Sequence, residues 1–178
     1  MITNPPPDAA PLILTAALET SAFDWFQDLR QAHFPPHRNI VPAHLTLFHA
    51  LPGGEKERVA ATVRAACARR EPMTLAVRGP WFIGRGVAYR IASPELEALR
   101  AELAETFAPW LTPQDRAGFR PHITIQNKAD PTEARALCER LQHEFEPFDI
   151  VAEGVLVWRY LGGPWEPVAR VGFRLSQP

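Results

Sequence analysis

The spacing of hydrophobic residues changes repeatedly along the chain between the period of a β-strand and the period of an α-helix. Apolar residues recur every three or four positions in four segments, which predicts helices over about 21–33, 55–70, 93–107 and 130–145. Between them, apolar or alternating runs predict strands over about 11–18, 43–51, 73–83, 86–92, 150–161 and 168–175, with a further short strand at 122–125. This order predicts an α+β fold in which helices pack outside antiparallel sheets.

Two of the predicted strands carry the same four-residue pattern, His44-Leu45-Thr46-Leu47 and His122-Ile123-Thr124-Ile125. Side chains alternate between the two faces of a strand, so each histidine shares a face with its threonine while the aliphatic residues point to the other face. The two copies lie close to half a chain length apart. This repetition predicts a single domain over residues 1–178 with two pseudo-symmetric lobes, each presenting one histidine to a central cleft.

Composition and charge limit the classes of function to be considered. The chain has 178 residues, a formal net charge of −1 and a pI near 6.6, so any RNA contact must come from a local basic groove. Its two cysteines, Cys67 and Cys138, form no Cys-x-x-Cys motif, which favours a reducing compartment. Residues 1–7 lack the features of a signal peptide, and no apolar run is long enough to span a membrane. We expect a cytoplasmic protein that makes no membrane contact.

Two imidazoles that face one another suit acid–base chemistry on a phosphodiester. Histidine titrates near neutral pH, so one ring can accept a proton from water while the other donates a proton to the leaving oxygen. Threonine hydroxyls on the same face can donate hydrogen bonds to the phosphate oxygens. His33 and His37 have the spacing of a helical metal pair, but Pro35 and Pro36 between them oppose a helix there. We therefore predict no metal and no cofactor.

The paired His-x-Thr-aliphatic motifs resemble those of the two-histidine (2H) phosphoesterase superfamily, which includes 2′-5′ RNA ligases and cyclic nucleotide phosphodiesterases. The resemblance implies two antiparallel lobes related by an approximate two-fold axis. It also implies hydrolysis of a 2′,3′-cyclic nucleotide or RNA end to a 2′-phosphate. His122 would activate the water, His44 would protonate the departing oxygen, and Thr46 and Thr124 would hold the phosphate. The two imidazoles are chemically equivalent, so the reverse assignment stays open.

Four further residues are predicted to contact the substrate. Arg120 lies two positions before His122 and therefore on the same face of the strand, where its guanidinium suits phosphate oxygens. Gln126 shares that face by the same alternation. Phe48 and Tyr89 offer aromatic surface for a base, with core packing as the alternative for Tyr89.

Two neighbouring features are predicted to be structural. His49 falls on the aliphatic face of its strand, opposite His44, and is interpreted as a residue that supports the fold. Residues 112–118 are rich in polar residues and are predicted to form a loop that leads into the second motif.

Two alternatives to an enzyme remain. The same groove suits a non-catalytic module that binds nucleotides or RNA ends, and both motifs can also be core strands of a structural protein. In the enzymatic and the binding cases we expect a monomer whose partner is a small cyclic nucleotide or an RNA terminal phosphate. In the structural case, the two histidines are expected to be far apart or buried.

Overall fold

The computed structural model describes residues 9–174 of the chain. The segment where we expect no signal peptide, residues 1–7, and the last residue of the final predicted strand, Leu175, lie outside the described residues. The strands are β1 (Leu12–Leu18), β2 (Thr46–Leu51), β3 (Met73–Phe82), β4 (Val87–Ala92), β5 (His122–Gln126), β6 (Phe148–Tyr160) and β7 (Trp165–Gly172). The helices are α1 (Thr20–His33), α2 (Lys56–Cys67), α3 (Pro94–Thr106), α4 (Pro113–Arg116) and α5 (Pro131–Glu144).

The helix starts follow local sequence signals. Ser93 caps α3, because its hydroxyl accepts a hydrogen bond from the Leu96 amide, and Asp130 caps α5 in the same way. A proline occupies the first turn of both helices. One prediction is wrong: the segment 112–118 contains the short helix α4, which starts at Thr112-Pro113 with the same capping chemistry. None of the helices within residues 9–174 is both long and apolar enough to cross a membrane.

All seven strands join one antiparallel sheet, and the long strand β6 connects its two halves. Residues 148–152 of β6 pair with β3, whereas residues 152–159 pair with β1 and residues 154–160 with β7. One half therefore has the order β2-β1-β6-β7 and the other has the order β5-β4-β3-β6. The α+β class and the two related halves are confirmed, with the difference that the two expected sheets are continuous through a shared strand.

The motif strands β2 and β5 occupy corresponding outer positions, since each has one strand partner among the described residues. Their aliphatic residues are buried in the core beneath the helices: Leu45, Leu47, Ile123 and Ile125 are at most 1% exposed. His44, Thr46, His122 and Thr124 are partly exposed. The alternation predicted from the sequence therefore holds across both four-residue motifs.

A buried arginine on α1 links the two motifs. Arg30 is 3% exposed, and its Nη1 donates a hydrogen bond of 2.8 Å to the carbonyl of Thr124 in β5. Its Nε donates to the carbonyl of Val41 at 3.0 Å and to Oδ1 of Asn39 at 2.8 Å, in the segment that leads to His44. Burial lowers the pKa of Arg30 to about 10, so the guanidinium stays charged at neutral pH.

A second buried arginine serves the other motif strand. Arg100 on α3 donates from Nε to the carbonyl of Leu47 in β2 and from Nη2 to the carbonyl of Asp115 in α4, both at 2.7 Å. Its guanidinium carbon also lies 3.9 Å from the ring centroid of Phe48. Each motif strand thus has one backbone carbonyl satisfied by an arginine that belongs to a helix, which stabilises an outer strand without a second strand partner.

We expect Arg30→Met to lower the free energy of unfolding by about 3 kcal/mol, because buried carbonyls of both motif segments lose their charged donor. Urea denaturation followed by circular dichroism measures the change. Arg64 is exposed on α2, so Arg64→Met is the matched control and should change stability by less than about 0.5 kcal/mol. Equal effects of the two substitutions would contradict the linking role of Arg30.

We expect Gly86→Ala to weaken the pairing of β4 with β5. A Cβ at Gly86 would lie 1.8 Å from the carbonyl oxygen of Gln126, so the end of the second motif strand would have to move. The expected loss in free energy of unfolding is about 3 kcal/mol. A Cβ at Gly54 meets nothing within 4 Å, which makes Gly54→Ala the control in the same denaturation experiment. If Gly86→Ala and Gly54→Ala had the same free energy of unfolding, the end of β5 could move without destabilising the protein, which would contradict the prediction.

Candidate active site

The two motif histidines are oriented by the same hydrogen bond. Nδ1 of His44 lies 2.7 Å from the carbonyl oxygen of Pro42, and Nδ1 of His122 lies 2.7 Å from that of Arg120. A carbonyl oxygen only accepts, so Nδ1 must carry the proton and donate in both rings. Each neutral ring therefore has its lone pair on Nε2. The backbone carbonyl two residues before each histidine thus selects the same tautomer in both rings.

Residues of both motifs meet in one cavity. Thr46 from β2 and His122 from β5 line a cavity of about 380 Å³, together with Arg120 and residues of the segment around α4. His44 lines a neighbouring cavity of about 330 Å³, whose wall includes Trp158. The charge of His122 lowers the pKa of His44, so the two rings are within electrostatic range of each other. The fold thus brings one residue of each motif, Thr46 and His122, to a shared cavity, whereas the two motif histidines line separate cavities.

His44 is held neutral by its surroundings. Burial is the largest cause, and the charges of Arg30, His122 and His49 act in the same direction, while the hydrogen bond to Pro42 opposes them. The result is a pKa of about 4 for His44, well below the ordinary value of 6.5. At neutral pH this imidazole can accept a proton but has none to donate from Nε2.

Each motif histidine packs against a tryptophan. The ring centroids of His44 and Trp165 are 4.6 Å apart, and those of His122 and Trp81 are 5.5 Å apart. Trp165 starts β7 and Trp81 lies near the end of β3, so the two contacts come from corresponding halves of the sheet. These contacts restrict rotation of the imidazoles, in addition to the Nδ1 hydrogen bonds.

Three of the predicted substrate contacts are corrected by the structure. Phe48 is fully buried and packs against Phe107 at a ring-centroid distance of 5.4 Å. Tyr89 is 2% exposed and lies in the hydrophobic core, because it pairs with Ile123 on the aliphatic face of the sheet. Gln126 is 7% exposed, and its Oε1 has no hydrogen-bond partner among the described residues. Arg120, in contrast, is exposed and lines the cavity of Thr46 and His122.

The prediction that His49 lies on the aliphatic face of its strand is wrong, and the reason also explains why Phe48 is buried. The pairing of β1 with β2 shifts register beside Leu47, where Leu14 pairs with Phe48 but Thr15 pairs with Thr46. Leu47 and Phe48 are consequently both buried, and the alternation is broken. The side chain of His49 therefore does not point to the core, as expected for the aliphatic face, but lines the cavity of Thr46 and His122.

Sequence reasoning also missed the partner of His49. Asp115 in α4 lies 2.8 Å from Nδ1 of His49 and accepts hydrogen bonds from the His49 amide at 3.0 and 3.1 Å. The Thr112-Pro113 capping signal at the start of α4 was the available clue. No group of three or more metal-ligating side chains that could hold an ion is found within residues 9–174.

Comparison with known proteins agrees with this geometry. The sequence profile of the 2′-5′ RNA ligase superfamily matches residues 18–164. The fold is similar to that of TT0787 from Thermus thermophilus, at 17% identity and a TM-score of 0.67 over 94% of this chain and 100% of that one. It is also similar to E. coli LigT in apo form, at 19% identity and a TM-score of 0.61 over 95% of this chain and 99% of that one.

A third solved structure also has a similar fold. A structure described as a phosphoesterase is 20% identical, with a TM-score of 0.60 over 93% of this chain and 98% of that one. A search of curated proteins gave no match. Because the family profile covers most of the chain and both histidine motifs, the protein belongs to the 2′-5′ RNA ligase superfamily of two-histidine phosphoesterases.

Proposed function

We propose that the protein is a metal-independent phosphodiesterase that hydrolyses 2′,3′-cyclic nucleotides or RNA-end phosphodiesters by histidine–histidine acid–base catalysis. The observation that carries this proposal is the matched pair of Nδ1 hydrogen bonds, which leaves Nε2 of both His44 and His122 available. We further propose that residues 1–178 act as one two-lobed domain, as a monomer in the cytoplasm.

The ligands of a structural relative support a phosphate-containing substrate. E. coli LigT has been solved in complexes with 3′-AMP, ATP, NADP+ and phosphate. All four ligands carry phosphate, and three of them carry a nucleoside. In this chain, a nucleotide phosphate between the two motifs would meet the hydroxyls of Thr46 and Thr124, with the exposed guanidinium of Arg120 nearby.

The lowered pKa of His44 supports one direction of proton transfer. Nε2 of neutral His44 takes a proton from water, and the resulting hydroxide oxygen forms the new bond to phosphorus. The bond from phosphorus to the 3′ oxygen breaks, and His122, which enters this step with a proton on both ring nitrogens, donates its Nε2 proton to that oxygen. The product is a 2′-phosphate with a free 3′-hydroxyl. This proposed assignment reverses the roles implied by the family resemblance, because burial lowers the pKa of His44 and favours its neutral form.

The remaining groups of the proposed site stabilise charge. The threonine hydroxyls donate to the non-bridging oxygens, where negative charge increases during the displacement. Arg120 adds a positive charge at the same cavity. Each histidine contributes about 10²- to 10⁴-fold by proton transfer, which corresponds to roughly 3–5 kcal/mol of the barrier.

We expect His44→Ala and His122→Ala each to reduce turnover of a 2′,3′-cyclic nucleotide by at least about 100-fold, because each removes one proton-transfer group. The measurement is product formation in excess chelator. His143 is exposed on α5 outside the motifs, so His143→Ala is the control and should keep full activity.

Two outcomes would contradict the proposed catalysis. Unchanged turnover in both variants would remove the catalytic proposal. Saturable binding of the nucleotide by the wild type without any product over hours would instead identify a non-catalytic binding module.

We expect kcat/KM to remain high as the pH falls below 6.5 and to decline only near pH 4, because His44 must be neutral to act as the base. If His44 were the acid, it would have to be protonated, and kcat/KM would fall about tenfold per pH unit above pH 4. A pH–rate profile distinguishes these two slopes. Circular dichroism over the same pH range verifies that the protein stays folded.

A further inference from the structure

The cavity shared by the two motifs contains a third imidazole that the proposed acid–base mechanism does not use. The side chain of His49 is 41% exposed, whereas that of its partner Asp115 is 1% exposed. Nδ1 of His49 lies 2.8 Å from Oδ1 of Asp115, so the ring is held on one side. Among residues 9–174, Nε2 of His49 has no hydrogen-bond partner, and the ring lines the cavity beside Thr46 and His122.

The carboxylate of Asp115 is fixed and ionised. Burial alone would raise its pKa, but hydrogen bonds from the ring and amide of His49 and from the Ala50 amide lower the pKa of Asp115 overall. An ionised carboxylate accepts a hydrogen bond from Nδ1–H of the imidazole. Because Asp115 holds Nδ1, Nε2 is the ring nitrogen of His49 that is left for a ligand in the cavity.

The other titratable and charged groups that line this cavity come from three elements of the fold. Asp115 approaches from α4, Arg100 from α3, and Arg120 and His122 from β5 and the residues before it. The charge of His49 also affects His44 at the start of the first motif. Arg100 donates to the carbonyls of Leu47 and Asp115, and the Asp115 carboxylate is occupied by backbone and ring donors. The imidazole of His49 and the guanidinium of Arg120 are left as the two groups of this set available to a ligand.

The cavity has room for more than the reacting phosphate. Its volume of about 380 Å³ lies within the range of about 300–1,000 Å³ that is typical of small-molecule sites. The cavity beside His44 has Leu156, Trp158 and Phe23 in its wall. It also contains Arg170, but Nη2 of this arginine is paired with Oε2 of Glu153 at 2.9 Å. An additional anionic group of the substrate is thus better accommodated on the His49 side than on the His44 side.

We propose that His49 and Arg120 form a second phosphate subsite, which selects substrates with a 5′-phosphate or a preceding RNA phosphodiester in addition to the reacting cyclic phosphate. The inference rests on the proposed function, because it places the reacting phosphate between His44 and His122. Asp115 is a positioning residue in this arrangement, since it orients His49 without contacting the ligand.

The test compares two probes that differ in one group: adenosine 2′,3′-cyclic phosphate with a 5′-hydroxyl and the same compound with a 5′-phosphate. We expect the wild type to prefer the 5′-phosphorylated probe by about 10-fold or more in kcat/KM, the size of one charged hydrogen bond. His49→Gln removes the imidazole but keeps a polar side chain at this position, and the preference should fall about tenfold. Arg120→Gln, at an exposed position, should lower the preference by a similar factor.

Controls separate this subsite from the proposed function and from folding. His143→Gln should retain the wild-type preference, because this exposed residue lies on α5 outside the cavity. Urea denaturation shows whether His49→Gln is folded. Arg120→Gln tests the same preference at an exposed position, where a substitution is not expected to affect folding. Equal kcat/KM for the two probes in the wild type, or an unchanged preference in both cavity variants, overturns the subsite.

A binding measurement keeps the test independent of catalysis. The affinities of adenosine 2′-phosphate with and without a 5′-phosphate, measured by calorimetry, should show the same preference and the same losses. If neither cyclic probe is hydrolysed but the binding preference is present and depends on His49, the proposed hydrolysis fails while the subsite stands. If hydrolysis occurs and depends on His44 and His122 but the preference is absent, only the subsite fails.

Discussion

The candidate site depends on one buried guanidinium that both motifs share. Arg30 bonds the carbonyl of Thr124 across 94 residues of sequence and also bonds the carbonyl of Val41, three residues before His44. A buried arginine whose donors are satisfied by carbonyls has a fixed position, because moving either partner leaves a charged donor or a carbonyl unpaired. The relative position of the two histidines is thus part of the core packing and does not rely on a flexible loop.

The same interaction connects stability with chemistry. Arg30 lies close enough to His44 for its charge to contribute to the lowered pKa of that ring. A neutral residue at position 30 would therefore change both the placement of the motifs and the proton affinity of the imidazole. This coupling explains why a charged side chain is suitable at a position that is otherwise surrounded by core residues, although burying a charge has a desolvation cost.

The sequence predicted the fold class and the two motifs because both depend on local alternation and repetition. The buried aliphatic pairs, Leu45 with Leu47 and Ile123 with Ile125, follow directly from a period of two. The position of His49 could not be predicted, since the register shift at Leu47 is decided by the pairing with β1. Contacts between side chains and backbone groups that are distant in sequence could not be predicted either. Neither Arg30 nor Arg100 has a sequence signal for the carbonyl that it bonds, because a lone arginine on a helix is usually solvated.

Acid–base catalysis by two histidines needs one neutral and one protonated ring at the same time, and this is favoured when the two rings have different surroundings. Both rings have the same tautomer, the same type of Nδ1 acceptor and a tryptophan neighbour, so the motif itself cannot create the difference. The difference comes from the surroundings: His44 is desolvated and faces the charge of Arg30, whereas His122 opens to the cavity that contains Arg120. A nearly symmetric fold thus supplies two histidines with matched Nδ1 hydrogen bonds, and the asymmetric packing around them lowers the pKa of His44.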